Sequence, residues 1–158
     1  MSDMEARIEA LERKVRVLED ALELQGIMDR YGPAVDSGDA DAAADLFWDD
    51  GVYDAEGVAP MMGAEAVRAM VEGPAHQGLL PNAAHTVGPS MLRVEGDAAT
   101  ATGYSRVYLR EGEGFRLWRV AANRWEFERR GGGWKGARRT NRLSGTKDSH
   151  EVLASASR

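Results

Sequence analysis

The sequence predicts an α+β fold, with N-terminal helices held inside a curved, mainly antiparallel (mixed) sheet that wraps them into a cone-shaped barrel. Apart from a short strand at 52–55, apolar residues recur at helical spacing as far as residue 71, and from residue 83 the period falls to two. Gly96-Asp97 and Gly131-Gly132-Gly133 then punctuate the alternating stretches as hairpin turns do. Helices first and strands afterwards is the order of an α+β domain. The 158 residues suit one domain with one core.

The elements follow in order. Residues 3–25 read as a helix. Met4, Ile8, Leu11, Val15, Leu18 and Leu22 are spaced four and three apart in alternation, with charged residues between them. So narrow a stripe suits a coiled-coil seam better than a globular face, and self-association as dimer or trimer is expected. The alternative is a helix lying along its own barrel. Residues 1–21 are therefore set apart as a heptad extension, 22–145 as the domain and 146–158 as a flexible tail.

A second helical stretch runs from Leu22 to Asp36, with a kink expected at Pro33. Ser37-Gly38-Asp39 breaks the chain and can cap a third helix, Ala40–Leu46, closed by Phe47-Trp48. Val52–Ala55 reads as a short strand, Gly63–Val71 as an amphipathic helix and 73–82 as a Pro/Gly-rich loop. The remaining strands are 85–87, 91–95, 98–109, 115–129 and 134–143.

Composition narrows the function. The net charge of −6 disfavours general nucleic-acid binding, and the Arg/Lys residues between Arg116 and Lys147 read as solvent faces of strands. Cysteine is absent, which excludes disulfides, thiolate nucleophiles and Cys-based metal sites. No long apolar run suggests a membrane span, and the charged N-terminus lacks a signal core. A cytoplasmic protein without a membrane partner is expected. No metal-binding motif and no Gly-rich phosphate loop after a strand is found, so no metal or cofactor is expected.

Three histidines are available. His150 lies in the tail and reads as solvated. His76 sits in the loop, either at a pocket mouth or in solvent. His85 opens the first long strand, either as a structural residue or as a base. Asp36 near a helix C-terminus is disfavoured by the dipole and calls for a partner, which His85 would supply. It is otherwise an ordinary turn residue. Tyr31 is either a core tyrosine or a proton donor, and Arg139 either an anion-binding group or one of several strand arginines. Trp48, Tyr53, Met91, Tyr104 and Trp125 are candidate lining for a small hydrophobic substrate.

The run LFWDDGVYDAEG, then NAAHTVG, then WEFERRGGGWKGARR resembles the SnoaL-like branch of the NTF2-like superfamily over roughly residues 20–143. That branch includes hexachlorocyclohexane dehydrochlorinase, with the scytalone and bile-acid dehydratases as more distant relatives. The resemblance implies His85 as base, Asp36 as its holder, Tyr31 as a pocket tyrosine and Arg139 near a leaving group. It implies a cofactor-independent lyase of the dehydratase type acting on a small hydrophobic substrate, polycyclic ones included. The alternatives are an isomerase of a ketone using the same base, or a non-catalytic ligand-binding or oligomerisation module. Two positions depart from the dehydrochlorinase pattern: Ala83 stands where a cysteine precedes the histidine, and Tyr31 replaces a lysine. The second pocket histidine of scytalone dehydratase has no evident equivalent.

Overall fold

A computed structural model describes residues 3–157. Its first element is one unbroken helix, α1 (Asp3–Ser37), where the sequence suggests two. Pro33 lies inside it on the solvent side, where the Asp29 carbonyl that loses its intrahelical donor faces water. The N-terminal half of α1 does not lie along the barrel. Its apolar stripe stands in solvent, from 48% exposure at Ile8 to 74% at Leu22. The helix enters the core at Asp20, Leu24, Ile27 and Met28.

Asp20 marks that entry. Its carboxylate accepts hydrogen bonds from Arg129 Nη1 (2.7 Å) and Nη2 (2.8 Å) and from Trp134 Nε1 (2.9 Å). Burial alone would raise this carboxyl, but Arg129 and Trp134 hold it below the ordinary carboxylate range. Other basic residues of the C-terminal half are spoken for in the same way. Arg130 pairs with Asp50, Arg142 with Asp54, and Lys135 with Asp45. These pairs tie the basic strands to carboxylates within the first 54 residues of the chain.

After α1 comes α2 (Ala40–Ala44), capped by the Asp39 side chain on Ala42 N. Phe47-Trp48 do not close this helix, as the sequence suggested; they open β1 (Phe47–Ala55). Then follow β2 (Met61–Met62), α3 (Ala64–Glu72), the single-turn α4 (Pro74–Gln77) and four long strands. These are β3 (Ala83–Glu95), β4 (Ala98–Glu111), β5 (Gly114–Arg130) and β6 (Gly133–Leu143). The sheet order is β2-β1-β6-β5-β4-β3. Only β1 with β6 is parallel, so the sheet is mixed and its two edges stay apart. Register shifts within four of its strand pairs bend it around α1.

The tail is also not loose. Residues Lys147–Ala154 form α5, capped by Thr146 Oγ1 on Ser149 N (3.1 Å), followed by a 3₁₀ turn, Ser155–Ser157. Arg124 Nη1 reaches across to Ser155 Oγ (2.9 Å) and Thr102 Oγ1 (3.1 Å), pinning this segment to the outer face of the sheet. The spacing of Val152 and Leu153 with the Thr146 cap was a readable helix signal.

Candidate active site

Asp36 sits in the last turn of α1, where the helix dipole disfavours a carboxylate. The helix ends because Gly38 takes the left-handed conformation (φ 74°), and its N–H returns to Val35 O (3.2 Å). Both Asp36 oxygens are engaged by one residue. His85 Nδ1 lies 2.6 Å from Oδ1, and the His85 backbone N–H donates to Oδ2 at 2.7 Å. The carboxylate accepts only, so neutral His85 carries its proton on Nδ1. Its Nε2 then holds the lone pair, and the ring lines a cavity of about 590 Å³.

This contact requires α1 and β3 to approach closely, and Gly32 permits it. A Cβ at Gly32 would stand 2.1 Å from the His85 carbonyl oxygen. His76 adds a second imidazole. It is buried in α4, with Nε2 2.7 Å from Val35 O and its ring centroid 5.7 Å from that of His85. The sequence left His76 between a pocket mouth and solvent, and it lines the cavity.

The same cavity is lined by Arg139, 1% exposed. Its Nε donates to Asn123 Oδ1 (2.9 Å), and among the described residues no carboxylate pairs with it. Aromatic rings hold it instead. The guanidinium carbon is 3.9 Å from the centroid of Tyr31, 4.6 Å from Tyr53 and 4.7 Å from Trp125. Its Nη1 has no partner, and neither has Asn123 Nδ2. Burial pushes the Tyr31 phenol well above its ordinary range; Tyr53 reinforces this and Arg139 opposes it. Tyr31 therefore stays an O–H donor throughout the physiological range.

Tyr31, Tyr53, His85 and Arg139 thus share one cavity. Asp36 addresses it only through His85, so no contact between Tyr31 and Asp36 is needed, and no kink. Ser105 and Asn141, hydrogen-bonded at 2.6 Å, also face it and were missed. For Ser105 the signal was a polar residue where the alternation of β4 calls for an apolar one; for Asn141 alternation gave none. Met61, Met70, Val87 and Val107 give the wall its apolar part, with Trp118 nearer solvent.

Four lining assignments from sequence need correction. Trp48 turns to the outer side, where its Nε1 donates to Glu128 O (3.0 Å) and Arg130 stacks on its ring. Met91 faces solvent because its neighbours Leu92 and Val94 take the inward positions of β3. Tyr104 faces outward because Ser105 and Val107 take the cavity side of β4. Trp125 is fully buried between Phe47 and Phe127, and supports Arg139 from behind without lining the cavity.

Among the described residues, no group of three or more His, Asp or Glu side chains could hold a metal, and no helix is long and apolar enough to cross a membrane.

No curated protein matches this chain. An NTF2-like protein with a cystatin-like fold from Novosphingobium aromaticivorans is 40% identical, with a TM-score of 0.87 over 90% of this chain and 94% of its own. A Mycobacterium tuberculosis protein of unknown function is 22% identical, with a TM-score of 0.73 over 89% and 90%. A hexachlorocyclohexane dehydrochlorinase from Novosphingobium barchaimii is 23% identical, with a TM-score of 0.71 over 83% and 90%. The family model of the SnoaL-like domain matches residues 16–140. With that match spanning most of the chain and the site set inside it, this protein belongs to the SnoaL-like family of NTF2-like folds.

Proposed function

We propose that this protein is a cofactor-independent lyase that removes water, or another small leaving group, from a hydrophobic substrate. The observation that carries this reading is the double grip of Asp36 on His85 in a cavity that a buried, unpaired arginine also lines. His85 Nε2 takes a proton from a carbon of the substrate. The C–H electron pair becomes the new double bond, and the leaving group departs with its own pair. Asp36 stabilises the imidazolium as it forms. Tyr31 donates its proton or a hydrogen bond to the departing oxygen, and the Arg139 charge stabilises whatever anion develops. The cavity is within the size range of small-molecule sites, and its walls are mostly apolar. The dehydrochlorinase of similar fold is named for an elimination, which accords with this chemistry.

Isomerisation is the second reading, because the same unpaired guanidinium suits an enolate held while His85 returns its proton elsewhere. A non-catalytic carrier or assembly role would fit a filled cavity or a His85 turned away from Asp36; the open cavity and the Asp36–His85 contact favour the enzyme reading.

The test is turnover on hydrophobic β-hydroxy ketones, polycyclic examples included, and on chlorinated cycloalkanes. Wild type is expected to form the alkene or enone on at least one. His85→Gln should lose about 10²–10⁴-fold in rate with its circular dichroism unchanged. Equal rates for the two proteins would remove His85 as the base.

Arg139 yields a separate expectation. A buried cation without a carboxylate costs stability that its ring contacts and one hydrogen bond only partly offset. Arg139→Met is therefore expected to melt at or above the wild-type temperature while kcat falls by about 10²-fold. A melting temperature several degrees lower would make Arg139 a structural residue.

A further inference from the structure

We propose that residues 4–22 of α1 pair with a second copy of this chain as a parallel, in-register, two-stranded coiled coil. The seam is placed by the structure and typed by the sequence. Met4, Ile8, Leu11, Val15, Leu18 and Leu22 are all exposed on the part of α1 that precedes the core. Their spacing puts Ile8, Val15 and Leu22 at a positions and Met4, Leu11 and Leu18 at d positions. Ile8 and Val15 at a, with Leu11 and Leu18 at d, are the β-branched and leucine pairing that favours two parallel strands over three or four; Leu22 and Met4 close the two ends.

Charge selects both the partner and its direction. The g positions flanking the seam hold Arg7 and Lys14, and the e positions that follow hold Glu12 and Glu19. In a parallel pair, g of one helix meets the next e of the other. Arg7 then faces the partner subunit's Glu12, and Lys14 faces the partner subunit's Glu19, twice over by symmetry. An antiparallel pair would bring g to g and e to e, setting base against base and acid against acid. The seam also stops where it must. The next d and a positions are Gln25 and Asp29, which hydrogen-bond each other (2.8 Å) at the barrel surface. Fewer than three heptads is short for a free coiled coil, but here the Asp20 anchor already orders the helix root, so less of the nucleation cost remains.

The chain has no cysteine, which makes the test clean. Sedimentation of the full chain at micromolar concentration should give twice its 17.2 kDa mass. Leu11→Glu with Leu18→Glu should give the single-chain mass with the near-ultraviolet signature of the barrel kept. Lys14→Glu should weaken the dimer about tenfold, and adding Glu19→Lys should restore it. Leu18→Cys should cross-link on mild oxidation, because a parallel register sets the two thiols opposite each other. An antiparallel seam would hold them about 15 Å apart. A trimer, a dimer that survives the double glutamate variant, or a Leu18→Cys protein that stays uncross-linked would each overturn the proposal.

Discussion

Asp36→Asn is expected to lower kcat/KM by about 10³-fold on whatever substrate wild type turns over, with the fold retained. The reason is hydrogen-bond polarity. Asp36 accepts from two N–H groups of His85, one on the ring and one on the backbone. Asparagine offers only one acceptor oxygen; its other terminal group is a donor. The backbone N–H of His85 cannot become an acceptor, so it keeps the oxygen. The amide NH₂ then faces Nδ1, and the ring must present a lone pair there. Neutral His85 moves its proton to Nε2, the nitrogen that should take the substrate proton. The geometry survives and the base is gone. Nitrogen-15 NMR of the imidazole reads this directly, as Nδ1–H in wild type and Nε2–H in the variant. The same tautomer in both proteins, or wild-type turnover in the variant, would defeat the assignment.

Element order and turn chemistry were readable, because period and glycine placement report local geometry. The Asp36–His85 pairing was readable as a helix end and a strand start that a cone brings together. What was not readable depends on contacts that cross the chain. β6 shows this most clearly. Counting by twos from the inward Trp134 and Gly136 predicts Arg138 and Arg142 inside. The register slips opposite Glu126/Phe127, with Glu126 meeting Arg138 and Phe127 meeting Gly136, so Ala137 is an extra residue. That one residue reverses the faces and sends Arg139 and Asn141 inward. No local pattern announces it; only the resemblance singled out Arg139. His76 was obscured differently. A histidine in a Pro/Gly loop has no periodicity, and its place follows from α4 folding back onto the end of α1. Composition alone marks the tail as loose, yet small polar residues can cap and pack a helix as Thr146 and Ser149 do.

Gly32→Ala is expected to destabilise the protein by about 3 kcal/mol, lowering its melting temperature by about 10 °C. Helix propensity predicts the opposite sign, since alanine in a helix interior is worth about 1 kcal/mol over glycine. The decision rests on what the new methyl meets. At Gly32 it would lie 2.1 Å from the His85 carbonyl oxygen, a backbone atom of β3 that no rotamer change can move. Relief requires α1 and β3 to part by about 1 Å, and the Asp36–His85 bonds lie one turn further along the same junction. Catalysis should therefore fall as well, by about 10²-fold, because an error of that size in a reacting group costs that much. Gly26 supplies the control. It lies in the same helix, and a Cβ there meets nothing within 4 Å. Gly26→Ala should gain up to about 1 kcal/mol and keep full activity. Thermal melts of the two variants beside wild type decide the matter. If both alanines stabilise, α1 does not press on β3 at His85, and the site would have to be assembled some other way.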